Sequence, residues 1–213
     1  WMSECGRRSR TDGMRLRDRI LDLGQMLAQA LVEGLGPGGR RAALASRDRA
    51  FARLLVVTVL RRLGQIDDAT ARCLDKPLNR SAQAARNALR LAAAQTMFLG
   101  TPDHAVVDGA VRLMGPRQRH LSGLVNAVSR RLTREASSIL AEQDELRLNC
   151  PDWLWRTWAA AYGEDATERM VAAMLLEPPL DLSFKSNAKN WTEELQGEIL
   201  ATGSLRREAG GIV

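Results

Sequence analysis

Apolar residues recur at steps of three and four along most of the chain, while stretches alternating apolar and polar residues are nearly missing. That spacing builds a stripe on a helix and not a face on a strand, so the expected fold class is all-α, helices packed on helices. Glycine and proline punctuate the pattern. The first clear helix spans about residues 15–34, with Leu16, Ile20, Leu23, Leu27 and Ala30 on one face, and Gly34 and the Gly36-Pro37-Gly38-Gly39 run end it. Ser46 is the expected N-cap of the next. Its interior, Leu54 to Leu60, is apolar on every side until Arg61 and Arg62, the pattern of a central, surrounded helix. A shorter segment runs from Gln65 to Leu74. A longer one from Ser81 to Gly100 turns Ala85, Leu89, Ala92 and Ala93 inward, and its alanines permit close helix approach.

Thr101 is the expected cap of a further helix with Pro102 at its first position and a stripe of Val106, Val107, Ala110, Val111 and Met114, stopped by Gly115-Pro116. The next, about Arg119 to Glu135, has Leu121, Leu124, Val125, Val128 and Leu132 in a narrow arc, with Arg119, Arg130 and Arg134 opposite. Beyond residue 140 the composition changes. Trp153, Trp155, Trp158 and Tyr162 gather behind Pro151, a helix over Glu164–Glu177 runs into Pro178-Pro179, and Leu180–Phe184 alternates like a short strand. Trp191 to Leu200 returns to helix. The closing ATGSLRREAGGIV has no partner elements after it, so the strand is expected to be an edge awaiting missing neighbours. Three segments result: a disordered or appended tail over 1–14, where a tryptophan precedes Met2, a helical domain over 15–140, and a small α+β domain over 141–213.

A chain of 213 residues, 45% of them hydrophobic, buries roughly 70% of its extended surface and needs neither disulfide nor metal for stability. Cys5, Cys73 and Cys150 lie far apart without paired spacing, which argues against a disulfide framework, a redox pair or a zinc site. His104 and His120 lack partners at metal-ligand spacing and are expected to be structural or surface residues. No apolar run is long enough to cross a bilayer, and the polar start does not suit a signal peptide, so the expected setting is cytoplasmic, with no membrane partner.

The net charge of +6 is divided unevenly. Residues 1–134 carry 24 basic and 11 acidic side chains, net +13; residues 135–213 carry 7 and 14, net −7. Arginine makes up 28 of the 31 basic residues, a skew that codon usage explains, but codon usage does not separate the signs into two halves. The front half is suited to a polyanion.

Four blocks carry a resemblance: RDRAF (Arg47–Phe51), LRLAAAQ (Leu89–Gln95), PDHAVVDGAV (Pro102–Val111) and LVNAVSRRL (Leu124–Leu132). Their order and spacing resemble the NusB family, whose fold is an all-helical RNA-binding domain. PDWLWRTWAAAYG (Pro151–Gly163), Pro178-Pro179 and TGSLR (Thr202–Arg206) look like the linker domain of RsmB-type ribosomal-RNA methyltransferases. The resemblance implies the front part of an enzyme that methylates C5 of a small-subunit ribosomal-RNA cytosine, using S-adenosylmethionine and a cysteine nucleophile in a C-terminal domain. That family's Asp-x-Cys-Ala-x-Pro-Gly-Gly-Lys loop and its Thr-Cys and Pro-Cys contexts do not occur in residues 1–213, so none of the three cysteines is assigned a catalytic role and no cofactor is expected in this chain.

Ribosomal RNA is therefore the expected partner, gripped through phosphates by the planar fork of arginine. The family uses its basic N-terminal region for RNA, which singles out Arg15, Arg17, Arg19, Arg40 and Arg41; Arg117, Arg119, Arg130 and Arg134 form a second cluster. Phe51 and Phe98 both sit in helical core patterns, so recognition is expected through backbone and shape and not through stacking, and DNA is not an expected partner. Asn126 lies beside the polar face, where it either caps a neighbouring helix or meets RNA, and the structural role is favoured. The tryptophan group is read as packing, with the enzyme's own methyltransferase domain as the expected partner. Two other readings are a NusB-type transcription antitermination factor and a helical interaction scaffold whose arginines merely solvate it.

Overall fold

The computed structural model describes residues 46–185 and 191–207, with side chains from Phe51 onward. The helix expected over 15–34, the glycine-rich loop, Arg15, Arg17, Arg19, Arg40, Arg41, Cys5, the Ser46 side chain and most of the RDRAF block lie outside those described features. Two compact units part between Asn149 and Cys150; the sequence placed a division at 140/141.

The first unit is wholly helical among the described residues: α1 Ser46–Arg61, α2 Leu63–Arg72, α3 Gln83–Phe98, α4 Asp103–Arg112, a 3-10 turn Pro116–Leu121, α5 Ser122–Glu142 and α6 Glu145–Asn149. The helix surrounded by others is α3, which packs against α1, α2, α4, α5 and the 3-10 turn. Ala85, Ala88, Leu89, Ala92, Ala93 and Ala94 are buried along it, and side chains this small bring neighbouring backbones close on several sides at once. The central position expected for α1 is thereby corrected. Among the described side chains of α1, Val59 alone is buried, while Leu54 is 47% exposed and Phe51 and Leu60 also face solvent. An apolar run states that a segment tolerates burial, and contacts decide whether it receives it.

Two helix starts also differ from expectation. Pro102 is itself the N-cap of α4, in an extended conformation with ψ 135°, and Thr101 stands outside. The 3-10 turn takes Arg119 and Leu121 off the long helix, and Leu124 on α5 is exposed instead of inward, whereas Val125, Val128 and Leu132 are buried.

At the start of α2, Arg62 offers no side-chain cap. Asn149 supplies one from the far end of the unit: its Oδ1 accepts hydrogen bonds from the backbone N–H of Gly64 (3.1 Å) and Gln65 (3.3 Å), which satisfies two donors that a helix start leaves open. Gln143 Nε2 adds donations to Gln65 O (2.9 Å) and Asp68 Oδ2 (2.8 Å). The approach demands glycine at 64, because a Cβ there would lie 1.7 Å from Leu148 O.

The second unit holds α7 Asp152–Tyr162, α8 Glu164–Leu175, β1 Leu180–Leu182, α9 Thr192–Leu195, β2 Glu198–Ile199 and β3 Leu205–Arg207. Trp155 is buried and donates its indole N–H to Glu164 at 2.8 Å, which ties α7 to α8; Trp153, 64% exposed, and Tyr162 point outward. The strand expected to lack neighbours has one. β1 pairs antiparallel with β3, Leu180 opposite Arg207 and Leu182 opposite Leu205, and β2 pairs with the other edge of β3. The closing TGSLR segment is thus a partner strand, and the helix expected over Trp191–Leu200 ends at Leu195, where Gln196 turns left-handed (φ 50°) before β2.

Candidate RNA-binding surface

Helical spacing on two adjacent helices makes a groove in the first unit. On α4, Asp103, Val107 and Val111 follow one another at four-residue steps, with His104 and Asp108 beside them. On α5, Asn126, Arg130, Thr133 and Arg134 repeat the pattern on the side away from the buried Val125, Val128 and Leu132. Together these nine residues line an open groove of about 540 Å³. Its floor holds the half-buried Val107 and Val111, and the charged groups stand on its walls.

Arg130 and Arg134, both expected on sequence grounds, meet here and are exposed, with no carboxylate within ion-pair distance among the described residues. Arg130 Nε donates to Asn126 Oδ1 at 3.4 Å, a weak bond that leaves most of the guanidinium open. Many other arginines are committed elsewhere: Arg62 to Glu145 (2.6 Å), Arg72 to Asp68 and Glu142 (both 2.8 Å), Arg90 to Asp67 (2.7 Å) and Arg131 to Glu135 (3.0 Å). Arg117 and Arg119 are exposed on the 3-10 turn and do not line the groove. Residue-by-residue reading missed Asp103, Val107, Asp108, Val111 and Thr133 as groove residues. The signal was present in the four-residue spacing on α4, but only the pairing of α4 with α5 makes a groove of it.

A family model described as the NusB family matches residues 17–134. The chain belongs to the NusB family. Among similar proteins is the ribosomal RNA small subunit methyltransferase B of Thermus thermophilus, 41% identical over 128 residues, which is 60% of this chain and 30% of that protein. The proteins of that name from Shewanella oneidensis and Klebsiella pneumoniae are 30% identical over 146 residues and 26% over 176, covering 67% and 80% of this chain and 32% and 38% of theirs. The chain spans about a third of the length of the curated relatives it matches.

The residues of this NusB-family chain do not fit the S-adenosylmethionine that the resemblance implies for the enzyme. The cofactor loop of RsmB-type methyltransferases does not occur in residues 1–213, and the cysteines at 73 and 150 are buried. Burial, and next the nearby Glu135, push the Cys73 thiol above its ordinary range, partly opposed by Arg131, so it is a poor nucleophile at neutral pH. No methyl-transfer step is assigned to these residues. Among the described residues no His, Cys, Asp and Glu side chains form a group able to hold a metal ion, and no helix is long and apolar enough to cross a membrane.

Proposed function

We propose that this chain is the RNA-docking front part of a cytoplasmic small-subunit ribosomal-RNA cytosine-C5 methyltransferase: a NusB-family domain reaching to Asn149, followed by a linker domain from Cys150. The observation that carries the reading is the pair of open guanidinium groups, Arg130 and Arg134, on a face where, among the described residues, no carboxylate neutralises either. Arginines placed so can each take a phosphate bidentately and release counterions from the RNA. Arg117 and Arg119 extend the basic surface, and Arg15, Arg17, Arg19, Arg40 and Arg41 are the remaining candidates for phosphate contacts. Similarity to methyltransferases of that name, reaching over 80% of this chain and so past the NusB-family match, favours an enzyme's targeting region over a free-standing antitermination factor.

In this reading the parent enzyme's methyltransferase domain binds S-adenosylmethionine, which supplies the methyl group, and it is also the partner of the second unit, whose Trp153, Tyr162 and Leu176 are exposed. Binding of a ribosomal-RNA fragment by residues 1–213 is measured across a salt series. Affinity falls linearly on a double-logarithmic plot, and Arg130→Ala/Arg134→Ala flattens the slope by about two contacts. Salt-independent binding, or equal affinity for duplex DNA, would refute the proposal.

A further inference from the structure

The α4–α5 groove is asymmetric in a way that simple phosphate attraction does not require. The α5 wall offers cations at Arg130 and Arg134; the α4 wall offers acceptors at Asp103 and Asp108, with the His104 ring beside them and Val107 and Val111 below. Asp108 is already engaged, since Arg112 Nε lies 2.9 Å from its Oδ2. Asp103, in the first turn of α4, has no ion-pair partner among the described residues, and the amide N–H₂ of Asn126 makes no hydrogen bond among them. A purely electrostatic track for RNA would not keep a free carboxylate facing its arginines, because that charge repels phosphate.

Resting on the RNA-docking reading above, we infer that this groove takes a single unstacked nucleotide whose base edge sets an exocyclic amino group beside an acceptor ring nitrogen, cytidine or adenosine, and not guanosine, whose amino group adjoins an N–H donor. The phosphate lies on Arg130 and Arg134. The base lies over Val107 and Val111 against the His104 ring, with its amino group donating to the Asp103 carboxylate and Asn126 available to its ring-nitrogen edge. The volume of about 540 Å³ falls inside the roughly 300–1,000 Å³ range of clefts that hold small ligands. Uridine, whose corresponding edge carries a carbonyl oxygen, sets acceptor against carboxylate and is rejected. A sequence preference thus comes from a chain whose described aromatic residues otherwise pack or lie outside the groove.

The test measures binding of single-stranded RNA 12-mers of cytidine, adenosine or uridine to residues 1–213 at one fixed salt concentration. Oligo(C) and oligo(A) are expected to bind about tenfold more tightly than oligo(U), the size of one charge-assisted hydrogen bond. Asp103→Ala separates the two roles of that carboxylate: removing a negative charge holds or raises affinity for oligo(U), while the advantage of oligo(C) and oligo(A) falls to about one. Val107→Trp fills the groove and lowers oligo(C) affinity about tenfold; circular dichroism and thermal melting verify that each variant is folded, and Asn126→Ala gives a second loss of preference on a smaller change. If oligo(U) binds as tightly as oligo(C), or if Asp103→Ala strengthens all three alike, the nucleotide pocket is overturned while salt-sensitive RNA docking stands. If no RNA binds at any salt concentration, the docking function fails and this inference with it.

Discussion

The guanidinium of Arg90 meets the carboxylate of Asp67 through two parallel hydrogen bonds, Nε to Oδ1 at 2.7 Å and Nη2 to Oδ2 at 2.8 Å, with Arg90 only 2% exposed. The pair joins α2 to the central helix α3. The third guanidinium nitrogen, Nη1, is buried with no hydrogen-bond partner among the described residues, so the charge rests on Asp67 for its compensation.

Removing Asp67 strands a buried cation, whereas removing both groups does not. Asp67→Ala is expected to lower unfolding free energy by about 3–5 kcal/mol, and Asp67→Leu/Arg90→Met by clearly less, because the desolvation cost leaves with the charge. Urea unfolding followed by helical circular dichroism compares the two. Equal losses would mean that packing and not charge compensation dominates at this site.

The Asn149 cap predicts a long-range effect on one helix start. Asn149→Ala is expected to cost about 1–2 kcal/mol and to speed amide exchange at Gly64 and Gln65, some 85 residues away in sequence. Gly64→Ala acts on the same junction by collision with Leu148 O and is expected to be the more damaging. Unchanged exchange at 64 and 65 in Asn149→Ala would remove the cap from the account.

In the second unit, Arg206 on β3 hydrogen-bonds Asp181 on β1 through two 2.7 Å contacts and holds its carboxyl below the ordinary carboxylate range. A folded pKa lowered below the unfolded one stabilises the pairing above the unfolded pKa, and this contribution is lost as pH falls through the folded value. Amide protection in Leu205–Arg207 should therefore drop in acid below the usual carboxylate titration. Asp181→Asn should abolish that acid step while leaving the β1–β3 hydrogen bonds in place. An identical acid step in the variant would assign it to another group.

Part of α3 was legible because Ala85, Leu89, Ala92 and Ala93 share a face at helical spacing, but Asn87 through Ala94 are buried without interruption, which periodicity does not show. For α1 the same argument misled, since a run such as Leu54–Leu60 has no polar side to mark where neighbours stop. The β1–β3 pairing was hidden for a different reason. Alternation in Leu180–Phe184 identifies a strand but not its partner, and the Leu205–Arg207 strand is too short to announce itself. Arg130 and Arg134 were legible as a polar face, but their opposition to Asp103 was not, because no local pattern links residues on two helices.

Sequence alone determined the helical class, the inward face of α3, the arginine-rich front half and the family blocks, all of which arise from residues a few positions apart. Tertiary structure decided which helix lies at the centre, which arginines are neutralised and which stay open, that Asn149 caps α2, and that a carboxylate faces the open arginines across a groove. Burial and charge compensation are properties of neighbours in space, and the chain reveals those neighbours only once it is folded.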